Sequence, residues 1–317
     1  MKERLLPVSA VIATGNRAQC LAGTLDSLLT QDLLPREFVV VDASGDDATK
    51  NFLLDFEKRV SPGASMHWAR AEVAGAAPQR NQGVALSSQP FIWFFDDDIS
   101  FEPDCVTRLW KAIESDSRLG GVNAMIVNQR YEPPGFVSRT MFTLMRGRRE
   151  KSFAGRVIGP AINLLPEDRQ DLPEVVPVQW LNTTCTIYRR KALPNPPFDS
   201  FFSGYSLMED LALSLRVGRQ WRLANVRTAR IRHESQSAGK KEHEREFAKM
   251  ELTNRWYVMT EILNKTRLSD FARLAAWEAF GVASGLMQRG GIRNLPKIIA
   301  GKISALSDLR KTKNRHE

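Results

Sequence analysis

The sequence of 317 residues contains little cysteine and no long uncharged apolar run. Its three cysteines, Cys20, Cys105 and Cys185, are odd in number, lie far apart and form no CxxC motif. They therefore argue against a disulfide framework and against a zinc site, and they suit a reducing compartment. No uncharged apolar stretch approaches the roughly 18 residues that a membrane-spanning helix needs. We therefore expect a cytoplasmic protein.

The rest of the composition is that of an ordinary globular chain with a basic end. Hydrophobic residues make up 43% and charged residues 26% of a chain long enough to build a large core. The net charge is +9, and residues 239–317 contain 16 Lys and Arg against 9 Asp and Glu. A basic segment suits nucleic acid or anionic lipid. The sequence has no zinc finger, RNP motif, basic-region zipper or clear helix-turn-helix, so we expect no nucleic-acid partner.

The first 130 residues alternate apolar, β-type runs with stretches that favour helix. Pro7 and Ser9 interrupt the first apolar run, which predicts a β-strand there rather than a signal peptide. The predicted strands are 8–13, 37–41, 66–69, 91–95 and 121–127, and the predicted helices are 17–31, 46–60 and 78–87. This alternation predicts an α/β fold with a Rossmann-like, mostly parallel sheet flanked by helices. Such sheets bind ligands at the carboxyl ends of their strands.

The pattern after residue 127 is less regular. Residues 128–172 contain a Pro-Pro-Gly turn and several arginines, which predicts a loop-rich insertion. The segments that follow are predicted as a β-type run over 175–188, a helix over 204–216, a last strand over 221–233 and helices beyond 239. We find no internal repeat and no low-complexity tract.

Three adjacent aspartates, Asp96, Asp97 and Asp98, follow the fully apolar run Phe91–Phe95. Adjacent carboxylates repel one another, but a divalent cation reverses this cost because hard metals prefer oxygen ligands and bridge to phosphates. Alternate side chains of an extended segment share a face, so Asp96 and Asp98 can converge while Asp97 points elsewhere. The alternative is a solvated acidic turn.

A second acidic pair and a histidine are candidates for chemistry, each with a structural alternative. Glu209 and Asp210 lie at a predicted helix start, where acidic side chains cap the helix or one of them acts as a general base. His233 ends the last predicted strand and suits a metal ligand, a phosphate contact or a strand-end residue. The remaining histidines offer no metal-ligand spacing and are predicted to be structural or exposed: His67, His243 and His316.

Arg80 and Asp42 each fit a ligand contact or a purely structural role. Arg80 precedes an apolar helical segment, where its fork of donors suits a diphosphate or where it is a surface arginine. Asp42 ends an apolar strand, where it either accepts hydrogen bonds from a nucleoside or caps the turn formed by residues 44–46.

Taken together, these segments resemble the family 2 glycosyltransferases with their GT-A nucleotide-sugar-binding fold. The matching segments are Val11–Arg17, Val40–Ser44, Arg80–Gly83, Asp96–Asp98 with Pro103, Glu209–Asp210 with Arg216, and His233. The resemblance spans about residues 8–237. No segment is specific alone, and the order and spacing of the set carry the resemblance.

The resemblance implies an inverting, metal-dependent enzyme that moves a sugar from a nucleotide-sugar donor to an acceptor hydroxyl, in cell-surface polysaccharide or glycolipid synthesis. The residues implied for the nucleotide-sugar are Thr14, Asn16, Arg17, Asp42, Arg80, Asp96 and Asp97. Asp96 and Asp98 would form the DxD motif and hold Mg²⁺ or Mn²⁺, with His233 beside them. Gly15 stands where an aromatic residue is common and Ala43 replaces a frequent second aspartate, so the nucleotide is not named.

The resemblance also implies a catalytic and an acceptor side. Asp210 matches the position of the catalytic base, and Glu209 would orient it or the acceptor, although the sequence leaves open which carboxylate is the base. Trp180, Leu181 and Asn182 fall where related enzymes shape the acceptor side.

The predicted domains are a GT-A domain over 1–237 and a basic helical extension over 238–317. Within the first, 1–127 is the nucleotide-sugar-binding half and 128–237 the acceptor and catalytic half. The basic and aromatic residues near the predicted surface are Arg146, those of 289–297, Trp256, Trp277 and Phe280. They suit an anionic membrane surface on the inner face of the cell membrane and a lipid-linked or saccharide acceptor. The alternative is a helical pair packed on the catalytic domain with a solvated basic face.

Two other functional classes also fit parts of the sequence. The segment Asp96–Ser100 also resembles the start of haloacid dehalogenase-like phosphotransferases, in which Asp96 would be the phosphorylated nucleophile and Asp98 an acid/base. Two strand-helix units before the motif, and Ser100 in place of Thr or Val, argue against it. The third class is a non-catalytic nucleotide-sugar-binding or scaffold protein.

Overall fold

A computed structural model describes residues 4–60, 62–204, 206–234, 244–286 and 291–313. The strands are β1 (Arg4–Thr14), β2 (Leu33–Asp42), β3 (Ser65–Arg70), β4 (Phe91–Phe95), β5 (Ile99–Phe101), β6 (Leu119–Ile126), β7 (Val157–Ile158), β8 (Ile162–Asn163), β9 (Val175–Val178), β10 (Cys185–Arg189) and β11 (Arg222–His233). The helices are α1 (Ala18–Leu28), α2 (Ala48–Glu57), α3 (Ala76–Leu86), α4 (Cys105–Ser115), α5 (Phe136–Arg146), α6 (Glu209–Val217), α7 (Glu244–Tyr257), α8 (Leu268–Leu286) and α9 (Gly291–Lys313).

The centre of the fold is a sheet of mixed but mostly parallel strands. Its order is β3-β2-β1-β4-β10-β6-β11-β5, and β9 pairs with β11 outside this path. Strands β1, β2, β3 and β4 run parallel, and β6 runs parallel to β11, whereas β10 is antiparallel to both of its neighbours. The chain leaves β1 for β2 and later returns to β4 on the other side of β1. This reversal of strand order opens the crevice in which α/β sheets bind ligands.

The predicted α/β fold class is confirmed, because the apolar runs of the first 130 residues all lie in the sheet. The five residues of β4 match the predicted strand, and the last four of them are buried because the strand is covered on both faces. Strand β1 extends the predicted run at both ends. The free cysteines Cys105 and Cys185 are buried in this core.

Helix α3 packs against the sheet through a glycine. A Cβ atom at Gly83 would lie 2.4 Å from Cγ1 of Val11 and 3.4 Å from Cγ2 of Val41. The helix therefore approaches β1 more closely than any side chain at this position would allow, and it carries Arg80 over the carboxyl ends of the strands.

The second half of the chain is more ordered than the sequence predicts. The insertion over 128–172 contains α5 and the hairpin of β7 and β8, and the predicted β-type run over 175–188 divides into β9 and β10. The helix predicted over 204–216 begins only at Glu209, because Ser206 and Met208 adopt left-handed backbone conformations with φ of 54° and 72°. This bend before α6 orients its acidic first turn.

The chain divides into two compact units. The sheet unit comprises Met1–Glu132, Ala154–Arg156 and Leu164–Ser235, and the helical unit comprises Pro133–Phe153, Val157–Asn163 and Gln236–Glu317. The predicted boundary between 237 and 238, together with His243, Arg289 and His316, lies outside the described residues. The division into a catalytic domain and an extension therefore stays a prediction.

The helical unit is built on contacts of α7 with α9 and of α8 with both α5 and α9. Trp256 stacks on Phe271 with 4.8 Å between ring centroids, and Arg255 pairs with Glu251 at 3.1 Å and with Glu278 at 3.3 Å. Among the residues that the structure describes, no helix combines the length and the apolar character needed to cross a bilayer.

Candidate active site

The three aspartates after β4 separate in direction, as their spacing predicts. Asp97 turns inward and is 3% exposed, where Thr14 Oγ1 donates a hydrogen bond to its Oδ2 at 2.6 Å and Arg17 Nη1 lies 2.9 Å from its Oδ1. Burial raises the pKa of Asp97 to about 6, because desolvation outweighs the contacts with Thr14 and Arg17. Asp97 thereby joins the loop after β1 to the loop after β4.

Asp96 and Asp98 converge on His233, the last residue of β11. One donor atom from each of these three residues lies within 4.8 Å of the other two. His233 Nε2 lies 3.0 Å from Asp98 Oδ1 and 3.9 Å from Asp96 Oδ2. Two carboxylates and one imidazole are a ligand set that suits Mn²⁺ and Mg²⁺, so these residues fit the metal that the sequence predicts.

The electrostatics of Asp98 differ from those of Asp97. Burial alone would raise the pKa of Asp98, but hydrogen bonds from His233 and from Arg17 Nη2, the latter at 2.6 Å, lower it to about 2. For His233, burial opposes the charged form, and the contact with Asp98 outweighs this effect and raises the pKa. Asp98 is therefore ionised at neutral pH, and its carboxylate oxygens are available as metal ligands.

The His233 ring is fixed from its other side. Gln129 Nε2 lies 3.2 Å from His233 Nδ1, and the side chain of Asn128 bonds both the backbone N–H and the carbonyl of His233, at 3.1 and 2.8 Å. These contacts come from the segment after β6, which runs parallel to β11. Neither Asn128 nor Gln129 stands out in the sequence, because only the pairing of β6 with β11 brings them to His233.

Arg80 connects Asp96 of the candidate metal site to Glu209 at the start of α6. Its Nη2 lies 2.8 Å from Asp96 Oδ1 and its Nη1 lies 2.9 Å from Glu209 Oε1, and its side chain is only 8% exposed. Burial opposes the charge of Arg80, but Asp96 and Glu209 raise its pKa. Of the two predicted alternatives, the surface arginine is wrong, because this guanidinium is buried between carboxylates from distant parts of the chain.

Glu209 and Asp210 form the first turn of α6. Glu209 is buried, and burial together with the neighbouring Asp210 raises its pKa, which Arg80 offsets only in part. Asp210 is partly exposed, and its Oδ1 accepts a hydrogen bond from Leu211 N at 2.7 Å. Desolvation raises the pKa of Asp210 to about 6 despite this bond. Raised pKa values of this kind are typical of carboxyl groups that exchange protons in enzymes.

The predicted nucleoside-side residues lie on two touching loops after β1 and β2. Asp42 is fully buried, and its Oδ1 accepts hydrogen bonds from Ser44 N at 2.9 Å and from Ser44 Oγ at 2.5 Å. Asn16 has a left-handed backbone, with its N–H donating to Ser44 Oγ at 2.7 Å and its Oδ1 accepting from Gly45 N at 3.1 Å. Asp42 thus caps the turn, and its predicted nucleoside contact stays a prediction.

Three side chains that the sequence did not single out complete these loops. Trp68 Nε1 donates to Asp42 Oδ2 at 3.3 Å, and Arg70 Nη1 donates to Ser44 O at 2.6 Å. Gln79 Nε2 lies 2.8 Å from both the Thr14 and the Val41 carbonyl oxygens. The one available signal was the position of Arg70 directly after the predicted strand 66–69, as Asp42 directly follows the predicted strand 37–41.

The predicted acceptor-side residues are buried. Leu181 is 0% exposed and its N–H donates to Ser214 Oγ at 2.9 Å, while Trp180 Nε1 donates to Leu164 O at 2.8 Å. Asn182 is 8% exposed, and its Oδ1 is buried without a hydrogen-bond partner. A buried carbonyl oxygen with no partner is costly, so Asn182 is the member of this trio with capacity for a ligand donor.

Comparison with known sequences gives a family match. The sequence matches the model described as "Glycosyl transferase family 2" over residues 9–193, which is more than half of the chain. It is 30% identical over 111 residues to the uncharacterized glycosyltransferase YwdF of Bacillus subtilis (strain 168). That alignment covers 35% of this chain and 39% of the relative, so it spans about two fifths of the relative's length.

Comparison with solved structures gives the same architecture at low identity. The mannosyltransferase PcManGT from Pyrobaculum calidifontis, in complex with GDP-Man and Mn²⁺, is 16% identical with a TM-score of 0.58, and the match covers 95% of this chain and 87% of that one. GalNAc-T7 with UDP, GalNAc and Mn²⁺ is 17% identical with a TM-score of 0.54, covering 75% and 45%. At this identity the likeness shows the fold.

Proposed function

The chain belongs to glycosyl transferase family 2 and has the GT-A fold, and from this premise we propose that it is an inverting, metal-dependent enzyme. It would move a sugar from a nucleoside diphosphate donor to an acceptor hydroxyl in polysaccharide or glycolipid synthesis. The observation that carries the proposal is the cluster of Asp96, Asp98 and His233, whose donor atoms lie within 4.8 Å of one another.

The donor side of the proposal rests on this cluster and on Arg17. When bound, Mg²⁺ or Mn²⁺ would act as a Lewis acid that stabilises the departing diphosphate. The two solved relatives whose names include Mn²⁺ support this choice of metal. Arg17 pairs with Asp97 and Asp98, at 2.9 and 2.6 Å, and its positive charge would favour a diphosphate bound at this cluster. Thr14, Asn16 and Asp42 are proposed for the nucleoside.

Asp210 is proposed as the general base. The acceptor hydroxyl is a poor nucleophile, so removal of its proton by Asp210 would accompany its attack on the anomeric carbon. The new bond forms from the acceptor oxygen, the bond to the diphosphate oxygen breaks, and attack from the opposite face inverts the sugar. The buried Glu209, fixed by Arg80, would orient Asp210. Asn182, with its unpartnered Oδ1, is proposed for a sugar hydroxyl on the acceptor side.

A direct test is a screen of UDP-, GDP- and dTDP-sugars with Mn²⁺ or Mg²⁺, in which release of the nucleoside diphosphate is measured. We expect Asp98→Asn to weaken metal-dependent donor binding, and Asp210→Asn to retain donor binding while turnover falls by about a hundredfold or more. Asp55→Asn, at an exposed aspartate on α2, is the matched control and should behave as wild type.

Two outcomes would contradict the proposal. Full activity of both Asp98→Asn and Asp210→Asn would mean that the site is elsewhere. Binding of a nucleotide-sugar without transfer to any acceptor, and without hydrolysis, would favour the non-catalytic alternative. The haloacid dehalogenase-like alternative is not carried forward, because the family match spans the segment that suggested it.

A further inference from the structure

Exposed apolar side chains are concentrated in the helical unit. Among the described residues, thirteen large hydrophobic side chains are exposed, and nine of them lie in this unit although it is the smaller one. The nine are Phe136, Val137, Leu144, Leu268, Leu286, Ile292, Ile299, Ile303 and Leu306. Single exposed leucines are ordinary on a protein surface, but a concentration in one region indicates an interaction surface.

Four of these side chains form one row on α9. Ile292, Ile299, Ile303 and Leu306 are 76%, 42%, 62% and 45% exposed. At 3.6 residues per turn, their spacing of seven, four and three places them on a single stripe about 21 Å long. We call these four residues the outer row.

The opposite face of α9 is already used for packing within the unit. Ala305 is fully buried, and a Cβ atom at Gly301 would lie 2.2 Å from the carbonyl oxygen of Arg245. Lys302 is held by Glu278 on the same side. These contacts hold α9 within the helical unit. The outer row lies outside them and is an additional apolar face of the helix.

The charges around the outer row are positive. Arg293, Lys297 and Arg310 are exposed on the same helix. Asp308 is the only acidic residue of Gly291–Lys313, and its Oδ2 is paired with Lys249 Nζ at 2.6 Å. A surface that combines an apolar stripe with exposed cations is complementary to one that combines hydrocarbon with negative charge.

We propose that the outer row docks on an anionic lipid bilayer, with α9 lying in the plane of the interface. A second copy of the chain is a poorer partner for this face, because a symmetric contact would bring two basic helices together. Nucleic acid would match the cations but would leave the isoleucines in water. At 3.6 residues per turn, Arg310 falls in line with the outer row and Arg293 falls beside it, and their long side chains can reach the lipid headgroups while the row enters the acyl boundary.

Helix α5 supplies a second lipid-facing element of the same unit. Phe136 is 86% and Val137 67% exposed, on a helix whose only charged residues are Arg139 and Arg146. By contrast, the aromatic residues that the sequence suggested for this surface are in ring contacts within the unit: Trp256 on Phe271, and Trp277 on both Phe142 and Phe280. The outer row is thus aliphatic, and the exposed aromatic residue of α5 is Phe136 rather than one of those three.

The inference deepens the proposed function, because an enzyme held on a bilayer meets acceptors that are linked to lipid. It rests on the proposed function only for that acceptor class. Vesicle binding needs neither donor nor metal, so a failure of the docking proposal would leave sugar transfer untouched, and a failure of sugar transfer would leave docking untouched.

The test is flotation of the full chain with vesicles of phosphatidylcholine alone or of phosphatidylcholine with an equal amount of phosphatidylglycerol. We expect wild type to float with the anionic vesicles, to float less with the neutral ones, and to be released as salt is raised. The double variant Ile299→Glu/Ile303→Glu should reduce the floated fraction by about tenfold or more, because it removes apolar contact and adds like charge.

Leu54→Glu, at an exposed leucine of α2 that is 55% exposed, is the matched control and should float as wild type does. Circular dichroism and release of the nucleoside diphosphate with a water-soluble acceptor should be equal in all three proteins. The proposal is overturned if wild type stays unbound to anionic vesicles, or if the double variant floats as well as wild type. It is also overturned if wild type is a dimer in solution that the double variant converts to a monomer, because the occupant is then a second copy.

Discussion

One amide side chain decides how the His233 ring meets the carboxylates of the site. Gln129 Nε2 lies 3.2 Å from Nδ1, while Nε2 of the same ring faces Asp98 at 3.0 Å. Residues that hold a ligating imidazole from its other nitrogen fix its orientation and its basicity. Gln129 is therefore a positioning residue for the proposed metal site.

We expect Gln129→Ala to weaken Mn²⁺ binding by about ten- to a hundredfold, with the donor absent. Titration calorimetry or the electron paramagnetic resonance signal of free Mn²⁺ measures this directly. Gln129→Glu offers a carboxylate that can accept a hydrogen bond from Nδ1–H of a metal-bound imidazole, so it should retain most of the affinity. Equal affinity in wild type and Gln129→Ala would show that the ring is fixed without Gln129.

Removal of the Arg80 guanidinium should lower the stability of the folded chain. Arg80→Met would leave Asp96 and Glu209 close together without the cation that lies 2.8 and 2.9 Å from them. Breaking a buried pair by removing one partner costs about 3 kcal/mol or more, so the free energy of unfolding in urea should fall by about that amount at pH 8.

The loss should shrink as the pH falls. Burial and Asp210 already raise the pKa of Glu209, and loss of the cation removes the contact that lowers it, so Glu209 holds its proton in the folded state at a higher pH than it does in the unfolded chain. Protonation at pH 5 therefore relieves part of the repulsion, and wild type and Arg80→Met should differ less there. Arg118→Met, at an exposed arginine paired with Asp116, is the control and should change stability little at either pH. A loss that is the same at pH 5 and pH 8 would contradict this account.

At the residue scale, the sequence predicts those site members that chemistry singles out. Asp96, Asp98 and His233 are polar residues directly after or at the end of apolar strands, and the structure brings them together as predicted. Trp68 and Gln129 could not be predicted, because they are common side chains whose contacts depend on strand pairing. Trp68, for example, comes close to Asp42 only because β3 pairs with β2 in the register that places Trp68 opposite Val40.

At the scale of elements, the close approach of α3 to β1 predicts that alanine at Gly83 destabilises the protein. Gly83→Ala would place a Cβ atom 2.4 Å from Val11 Cγ1, which forces the helix away from the sheet. We expect a loss of about 1–3 kcal/mol in the free energy of unfolding, together with weaker donor binding because α3 carries Arg80.

Gly23→Ala is the matched substitution in α1, where a Cβ atom would meet nothing within 4 Å. That change should stabilise the protein by about 0.5–1 kcal/mol, since alanine favours helix over glycine. Chemical denaturation of the two variants side by side tests both signs. If both variants were stabilised, the helix and the strand would have to be less tightly packed than the structure has them.

The first turn of α6 gives the pH dependence of the reaction. Desolvation raises the pKa of Asp210 to about 6, above the ordinary aspartate value, and only the ionised carboxylate can accept the proton of the acceptor. We therefore expect kcat/KM to rise with pH up to about 6 and to level off above it. The measurement is kcat/KM between pH 4.5 and 8.5 at saturating metal, with unfolding monitored in parallel. A rate that stays constant down to pH 4.5 would rule out Asp210 as the base.

Elements were predicted well where a hydrophobic period is strong and less well where backbone conformation decides. The run of β4 is unambiguous because a strand covered on both faces must be apolar throughout. The start of α6 was placed five residues too early, since the left-handed conformations of Ser206 and Met208 have no clear sequence signal. Helix α5 was missed because the Pro-Pro-Gly turn before it and the arginines after it suggested a loop.

At the scale of the whole molecule, ligand binding should appear as stability. A ligand that binds only the folded chain raises the free energy of unfolding by about 2.7 kcal/mol at a hundred times its Kd. We expect one of UDP, GDP or dTDP, together with Mn²⁺, to raise the Tm by a few degrees more than either component alone. Differential scanning calorimetry makes the measurement.

The variants of the metal cluster test the origin of that shift. Asp98→Asn should lose the part of the shift that requires the metal, whereas Asp55→Asn should show all of it. If none of the nucleotides moved the Tm in the presence of Mn²⁺, the assignment of the cleft to a nucleoside diphosphate would be wrong.

Strands β6 and β10 are neighbours, with Thr186 opposite Asn123, although residues 127–184 separate them along the chain. This excursion supplies β9 to the same sheet and places Gln129 beside His233. The stretch Pro133–Phe153, in its middle, belongs to the helical unit and supplies neither of these. A protein engineer who exchanges part of the excursion should therefore replace only this middle stretch, because the residues on either side of it build the sheet and the cluster around His233.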